Sequence, residues 1–183
     1  MNRQEFTSKN TSVNKAKLPA IYNKLNWEVI NATNKAYAVD NTVIDYGCGK
    51  HTNHIINFLN DKDFVFFGYD LYNQSWANNV ATLDLLSSGQ SIGVIICSNL
   101  LCVIKEDEII QDIVNKITAT KQPYFFTIWE GDRTGIGKQT GPDQYQRNEK
   151  LQITYEKFFK NIPLACKYKG TICNKEYKNY LRK

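Results

Sequence analysis

The stretch that most constrains this chain is Thr42-Val43-Ile44-Asp45-Tyr46-Gly47-Cys48-Gly49-Lys50-His51-Thr52. An apolar run closes on an acidic residue, passes through a Gly-x-Gly turn and leads into a helix start. A second apolar run, Phe64-Val65-Phe66-Phe67-Gly68-Tyr69, ends at Asp70, twenty-one positions after Gly49. Strand, glycine turn, helix, strand and terminal carboxylate make a βαβ unit. The glycines let a strand turn sharply into a helix while the backbone stays open to close approach.

Such a unit suits a nucleoside. Asp70, at the carboxyl end of the second strand, is placed to accept hydrogen bonds from ribose hydroxyls, with Leu71 continuing the same loop. A dinucleotide fingerprint asks for a third glycine where this chain has Thr52. Asp45 beside the turn would repel a pyrophosphate but suit the ammonium of a methionine moiety. These two residues favour S-adenosylmethionine, and its product S-adenosylhomocysteine, over NAD. Asp84, in Thr82-Leu83-Asp84-Leu85, is a candidate adenine contact, with a helix-surface charge as the alternative.

The remaining chain alternates strands and helices. Leu18, Ile21, Tyr22, Leu25, Val29 and Ile30 recur at roughly helical spacing, so residues 14–38 read as a helical cover behind a loose tail at 1–13. Strands are expected near 42–46, 64–70, 92–97, 124–129, 164–168 and 170–174, and helices near 51–60, 105–119 and 149–160. The unbroken run Ile92-Gly93-Val94-Ile95-Ile96-Cys97 suits a central strand covered on both faces. Its carboxyl end carries Ser98 and Asn99, where ligands collect in open α/β sheets. The expected fold is α/β and Rossmann-like: a doubly wound, mostly parallel sheet of about seven strands with helices on both faces, in a single domain over 14–183.

Composition narrows the setting. A formal charge of +5 permits a polyanionic partner without requiring one. No apolar run reaches membrane-spanning length, and Met1 leads into polar residues, so a cytoplasmic protein without a membrane partner is expected. The five cysteines form no Cys-x-x-Cys pair and read as reduced thiols with no metal site.

From Glu130 to Asn148 the chain turns polar and glycine-rich. A segment of this length at a strand's carboxyl end points to function. Gly131, Gly135 and Gly137 offer backbone N–H groups, while Arg133, Lys138 and Arg147 can pair with phosphate. Tyr145 can stack on a base, Gln146 or Asn148 can read its edge, and Glu130 and Asp132 are available general bases. The alternative is that Arg147 and Asn148 anchor the last helix. Trp129 and Trp27 read as core or rim.

With these pieces placed, the chain resembles the class I S-adenosylmethionine-dependent methyltransferases from Thr42 to its C-terminus. Val43-Ile44-Asp45-Tyr46-Gly47-Cys48-Gly49 is similar to their first motif, Gly68-Tyr69-Asp70 to their second, and Cys97-Ser98-Asn99-Leu100-Leu101-Cys102-Val103-Ile104 to their fourth. The segments Glu130–Thr140 and Tyr145–Lys150 resemble a later motif of small phage and bacterial methyltransferase-like proteins. The resemblance implies a methyltransferase that holds S-adenosylmethionine through Asp45, Gly47, Gly49, Asp70, Leu71, Asp84, Ser98 and Asn99. Glu130, Asp132 and Asn99 are then the candidate catalytic residues, and nucleic acid or a nucleotide the candidate acceptor. Lys50-His51-Thr52 departs from the pattern, since many members carry a further glycine there. Ser98-Asn99-Leu100-Leu101 lacks the prolines and aromatic typical of adenine or cytosine amino-methylation, and no Pro-Cys pair supports attack at cytosine C5. A non-catalytic nucleoside-binding protein and a NAD-dependent oxidoreductase stay open as alternatives.

Overall fold

The computed structural model describes residues 17–88, 92–142 and 144–182; the tail expected at 1–13 lies outside them. Six strands form the main sheet in the order β2-β1-β3-β4-β8-β7, with β1 at Thr42–Tyr46, β2 at Val65–Tyr69, β3 at Val94–Ser98, β4 at Tyr124–Thr127, β7 at Ala165–Tyr168 and β8 at Thr171–Asn174. The first four run parallel, and β8 and β7 complete the sheet antiparallel. The expected count of seven is corrected to six among the described residues. Two further strands, β5 (Lys138–Gly141) and β6 (Gln144–Gln146), pair only with each other.

Helices pack on both faces because side chains alternate along each strand. Ile44, Ile95, Cys97 and Phe126 face α4 (Trp76–Ser87), α5 (Asp107–Ala119) and α6 (Leu151–Phe158), joining Leu86, Ile110, Val114 and Phe158 in one apolar cluster. Val43, Val94, Ile96 and Phe125 face α1 (Ala20–Lys24), α2 (Trp27–Ala36) and α3 (Asn53–Asn60), with Tyr22, Trp27, Ile30 and Leu59. β1 is buried at all five positions, as a strand covered on both faces must be. In α5 the buried residues Ile110, Ile113, Val114 and Ile117 follow helical periodicity, and Asp107 and Glu108 sit in the first turn, favourable to the helix dipole.

Of the helical cover expected at 14–38, residues 14–16 lie outside the described residues; the rest holds α1 and α2, with Asn26 capping α2 by accepting from the Val29 N–H at 3.4 Å. A bridge between Leu25 and Leu181 pins this segment to the end of the chain. Residues 71–88, without a clear pattern in sequence, form the loop into α4 and then α4 itself. Ser75 caps that helix, and the Thr82 hydroxyl ties it to β2 through the Gly68 carbonyl at 3.1 Å. Among the described residues no strand extends the sheet beyond β2, where Val65 is 57% exposed. The five cysteines are free thiols.

Position in the sheet sets the cost of truncation. Ile44→Ala, in the central strand at 0% exposure, is expected to cost about 2–5 kcal/mol in urea unfolding. Val65→Ala on the edge strand should stay within about 0.5 kcal/mol.

Candidate functional site

The strand order reverses between β1 and β3, since the chain leaves β1 to one side for β2 and returns to the other for β3. Ligands bind in the crevice at such a switch point, outside the carboxyl ends of the strands. Here the carboxyl ends of β1, β2 and β3 that flank the switch point lead into the Gly47–Gly49 turn, Asp70 and Ser98–Leu100. Gly47 and Gly49 both adopt positive φ (88° and 72°), which L side chains resist. Gly47 also lies against Leu100, whose side-chain atoms would come within 2.8 Å of a Cβ at position 47.

The turn is fastened to β2. The Tyr69 carbonyl accepts the N–H groups of Gly47 (2.7 Å) and Cys48 (3.1 Å). Asp70 continues the fastening. Its Oδ2 accepts from the Gly49 N–H at 3.0 Å, while Oδ1 accepts from the Tyr72 and Asn73 backbones and the Asn73 side chain. Asn79 brackets the Asp70 backbone by accepting its N–H and donating to its carbonyl, and Gln74 donates to the Gly49 carbonyl at 2.6 Å. Asp70 therefore organises the turn, leaving only the remaining acceptor capacity of Oδ2 for a ligand. Leu71 is exposed beside it.

Asp45 is the buried charge of the site. At 1% exposure it accepts from the Tyr22 hydroxyl at Oδ2 (2.7 Å), and Oδ1 has no hydrogen-bond partner. Burial pushes its pKa from the ordinary 3.8 to about 7, opposed by the Tyr22 hydrogen bond and reinforced by Asp70. The same burial raises the thiols of Cys48, Cys97 and Cys102, so none is an activated nucleophile. On β3, the Ser98 hydroxyl meets Thr127 at 3.0 Å. Asn99 is exposed with φ of 57°, its side chain unengaged at the rim. Asp84 is exposed on α4, eight residues past the helix start and roughly 12 Å along its axis.

The segment 130–148 is a built structure, which corrects several expected roles. Arg147 is buried, donating from Nη1 to the Ile104 and Lys105 carbonyls and from Nη2 to Asp107 (2.6 Å) and Glu149 (3.0 Å). It anchors α5 to α6 and is not open to a phosphate. Asn148 accepts from the Asp132 N–H and donates to the Ile136 carbonyl, and its Oδ1 occupies the space of a Gly131 side chain. Gln146 is buried and donates to the Trp129 carbonyl at 3.1 Å. The Tyr145 hydroxyl lies against Gly137. Arg133 pairs with Glu130 at 2.7 Å and Lys138 with Asp132 at 3.0 Å, so both exposed cations are locally neutralised.

The two expected bases are likewise engaged. Glu130 caps α6 by accepting the Leu151 N–H at 2.8 Å. Asp132 is lowered to about 2 by hydrogen bonds from Thr134 and Lys138, too acidic to draw a proton near neutral pH.

Contacts that sequence reading did not assign include Tyr22, which reaches Asp45 from twenty-three residues upstream, and Gln74 and Asn79. The amide cluster Asn73-Gln74 and Asn78-Asn79 was the signal for the latter pair. Trp76 and Trp129 are 80% and 62% exposed, so Trp129 is at the rim and not in the core, while Trp27 is core. Trp129 borders a cavity of about 390 Å³ between the end of β4 and the start of α6, shared with Ile128, Glu130, Gly131, Arg133 and Leu151. Among the described residues there is no cluster of three or more metal-ligating side chains, and no helix is long and apolar enough to cross a membrane. No family model and no curated protein matches the sequence.

Two outcomes follow from these contacts. Because the Asp45 pKa is raised on folding, its contribution to stability is complete below about pH 4 and is lost as pH rises to about 7, a loss on the order of 4 kcal/mol. Asp45→Asn should flatten that part of the pH–stability curve and be the more stable protein at pH 8 in denaturant titrations. Arg147→Ala should cost about 3–5 kcal/mol, because Glu149 is left buried with one partner fewer; a fall below about 1 kcal/mol would remove the anchoring role.

Proposed function

We propose that the protein is an S-adenosylmethionine-dependent methyltransferase acting on nucleic acid or a nucleotide in the cytoplasm. The observation that carries this reading is Asp45: a buried carboxylate with one oxygen unpartnered, beside a positive-φ glycine turn at the switch point. A carboxylate held at about pKa 7 gains from a cationic neighbour. The ammonium of a methionine moiety is such a neighbour, and a pyrophosphate is its opposite. The reversal of strand order supports a doubly wound sheet of the class I methyltransferase kind.

In this reading Gly47–Gly49 give backbone approach to the cofactor, Asp70 sets the turn and offers Oδ2 to the ribose, and Asn99 stands at the rim nearest the acceptor. The sulfonium is already activated, so transfer needs in-line positioning more than a base. Arg133 and Lys138 contact substrate only by exchanging their present partners.

Titration calorimetry with S-adenosylmethionine, S-adenosylhomocysteine and NAD tests the reading. Binding of the first two on the order of micromolar and none of NAD is expected; no binding to any of the three would end it. Near pH 6.5, binding should release a proton as Asp45 ionises beside the ammonium, measured as a dependence of heat on buffer ionisation enthalpy, and Asp45→Asn should abolish the release. Asp70→Ala should weaken binding by roughly 1.5–3 kcal/mol.

The packing of Leu100 on Gly47 and the occupied carboxylates favour a second reading, a non-catalytic nucleoside-binding protein. Tight cofactor binding without transfer of tritiated methyl to DNA, RNA or nucleotides would select it.

A further inference from the structure

The charge of this chain is unevenly placed. Residues 157–183 hold eight Lys and Arg against Glu176 alone, a net +7 where the whole chain carries +5, so the first 156 residues are net negative. In the fold this basic end wraps the β7 edge of the sheet. Lys24, Lys169 and Arg182 converge there on a cleft of about 240 Å³, shared with Asn23 and Leu181.

None of these three cations has a carboxylate partner among the described residues. Lys24 donates to the Lys169 carbonyl (3.4 Å), Lys169 to the Arg182 carbonyl, and Arg182 Nε to the Leu25 carbonyl (3.2 Å). Backbone carbonyls thus hold the side chains in place without cancelling their charge. Lys169 and Lys178 both lie over the Tyr168 ring at 5.4 Å, which orders the same edge further. The contrast with Arg133 and Lys138, each closed in an ion pair, is direct. Among the described residues, the cations of this edge are without carboxylate partners, whereas Arg133 and Lys138 of the glycine-rich segment are paired.

The cleft has a neighbour. Gly170, in the β7–β8 turn, borders the cavity beside Trp129, and a Cβ on it would lie 3.6 Å from Lys24 Nζ. Unpaired cations therefore stand one turn away from a concavity with an exposed indole. Phosphates track such cations while an unpaired base stacks on such a ring. A lipid surface would call for apolar side chains around the cations, whereas the exposed Leu164 lies at the opposite end of β7.

We infer that the Lys24–Lys169–Arg182 cleft binds the phosphate backbone of single-stranded nucleic acid and delivers a base to the Trp129 cavity. This rests on charge and exposure alone, so it stands or falls separately from the methyl-transfer reading, and its test contains no cofactor. Fluorescence anisotropy with labelled oligo-dT and oligo-U of about 20 nucleotides would be followed across salt for the full chain. The double variant K24Q/K169Q should bind at least about tenfold more weakly near 0.1 M salt, with the log–log salt slope reduced by about 1.4 for two lost contacts. Lys138→Gln, already paired in the native protein, should leave both unchanged. Oligonucleotide should quench tryptophan emission in the native protein and in Trp76→Phe, but not in Trp129→Phe.

A preference between oligo-dT and oligo-U assigns the source as DNA or RNA. Unchanged affinity and slope in the double variant would overturn the proposal, as would quenching that persists in Trp129→Phe. Binding to phosphatidylserine vesicles or to an acidic peptide without binding to either oligonucleotide would also overturn it. Should the double variant fail to fold by circular dichroism, the native salt slope and the Trp129 quenching decide alone.

Discussion

The carboxylate of Asp70 is the contact on which the site depends. By accepting from Gly49 on one side and from Tyr72 and Asn73 on the other, it ties the turn after β1 to the loop before α4. Two adjacent parallel strands are thereby closed at their carboxyl ends, just beyond the Tyr46–Tyr69 pair. The Tyr69 carbonyl adds two more bonds to the same seam. A charged acceptor serving backbone N–H groups is the stronger kind of hydrogen bond, and the glycines are what allow those N–H groups to converge. The shape of the turn at the end of β1 is a consequence of that seam.

Within this frame Asp45 is a destabilising element that the surrounding structure tolerates. A buried carboxylate with one bare oxygen is costly, and Tyr22 offsets only part of it. An apolar residue would pack there more favourably. Segment 130–148 shows the reverse economy. Its polar groups are nearly all used internally, with Arg147 joining two helices and Asn148 threading the loop, so polarity there serves shape first.

The separation of charge from glycine-rich loop changes where an acceptor would be met. Cations closed against Glu130 and Asp132 project little field into solvent, while cations held by carbonyls project all of theirs. The basic edge at β7 and the exposed Trp129 sit on one side of the sheet's carboxyl end, and the Gly47–Gly49 turn at its centre. That division suits separate binding of two ligands.

Local signals in the sequence determined most of the framework. The strand–glycine–helix–strand unit, the run at 92–97 and the helix expected near 105–119 were legible because each follows from residues adjacent along the chain. The α4 helix was not, since Asn-rich residues after Asp70 carry no clear apolar period, and Ser75 and the Gly68 contact supply its limits. About seven strands were expected, and the described residues place six in the main sheet. Roles within 130–148 were also beyond reach: Arg147 offers the same guanidinium to a phosphate or to Asp107 and Glu149, and only burial between α5 and α6 selects the latter. In the same way Tyr22 meets Asp45, and Lys24 meets Lys169 and Arg182, across separations that composition and spacing do not encode. The chain by itself determined which residues turn, extend and coil; the packing of distant segments decided which charges are spent on the fold and which remain for a ligand.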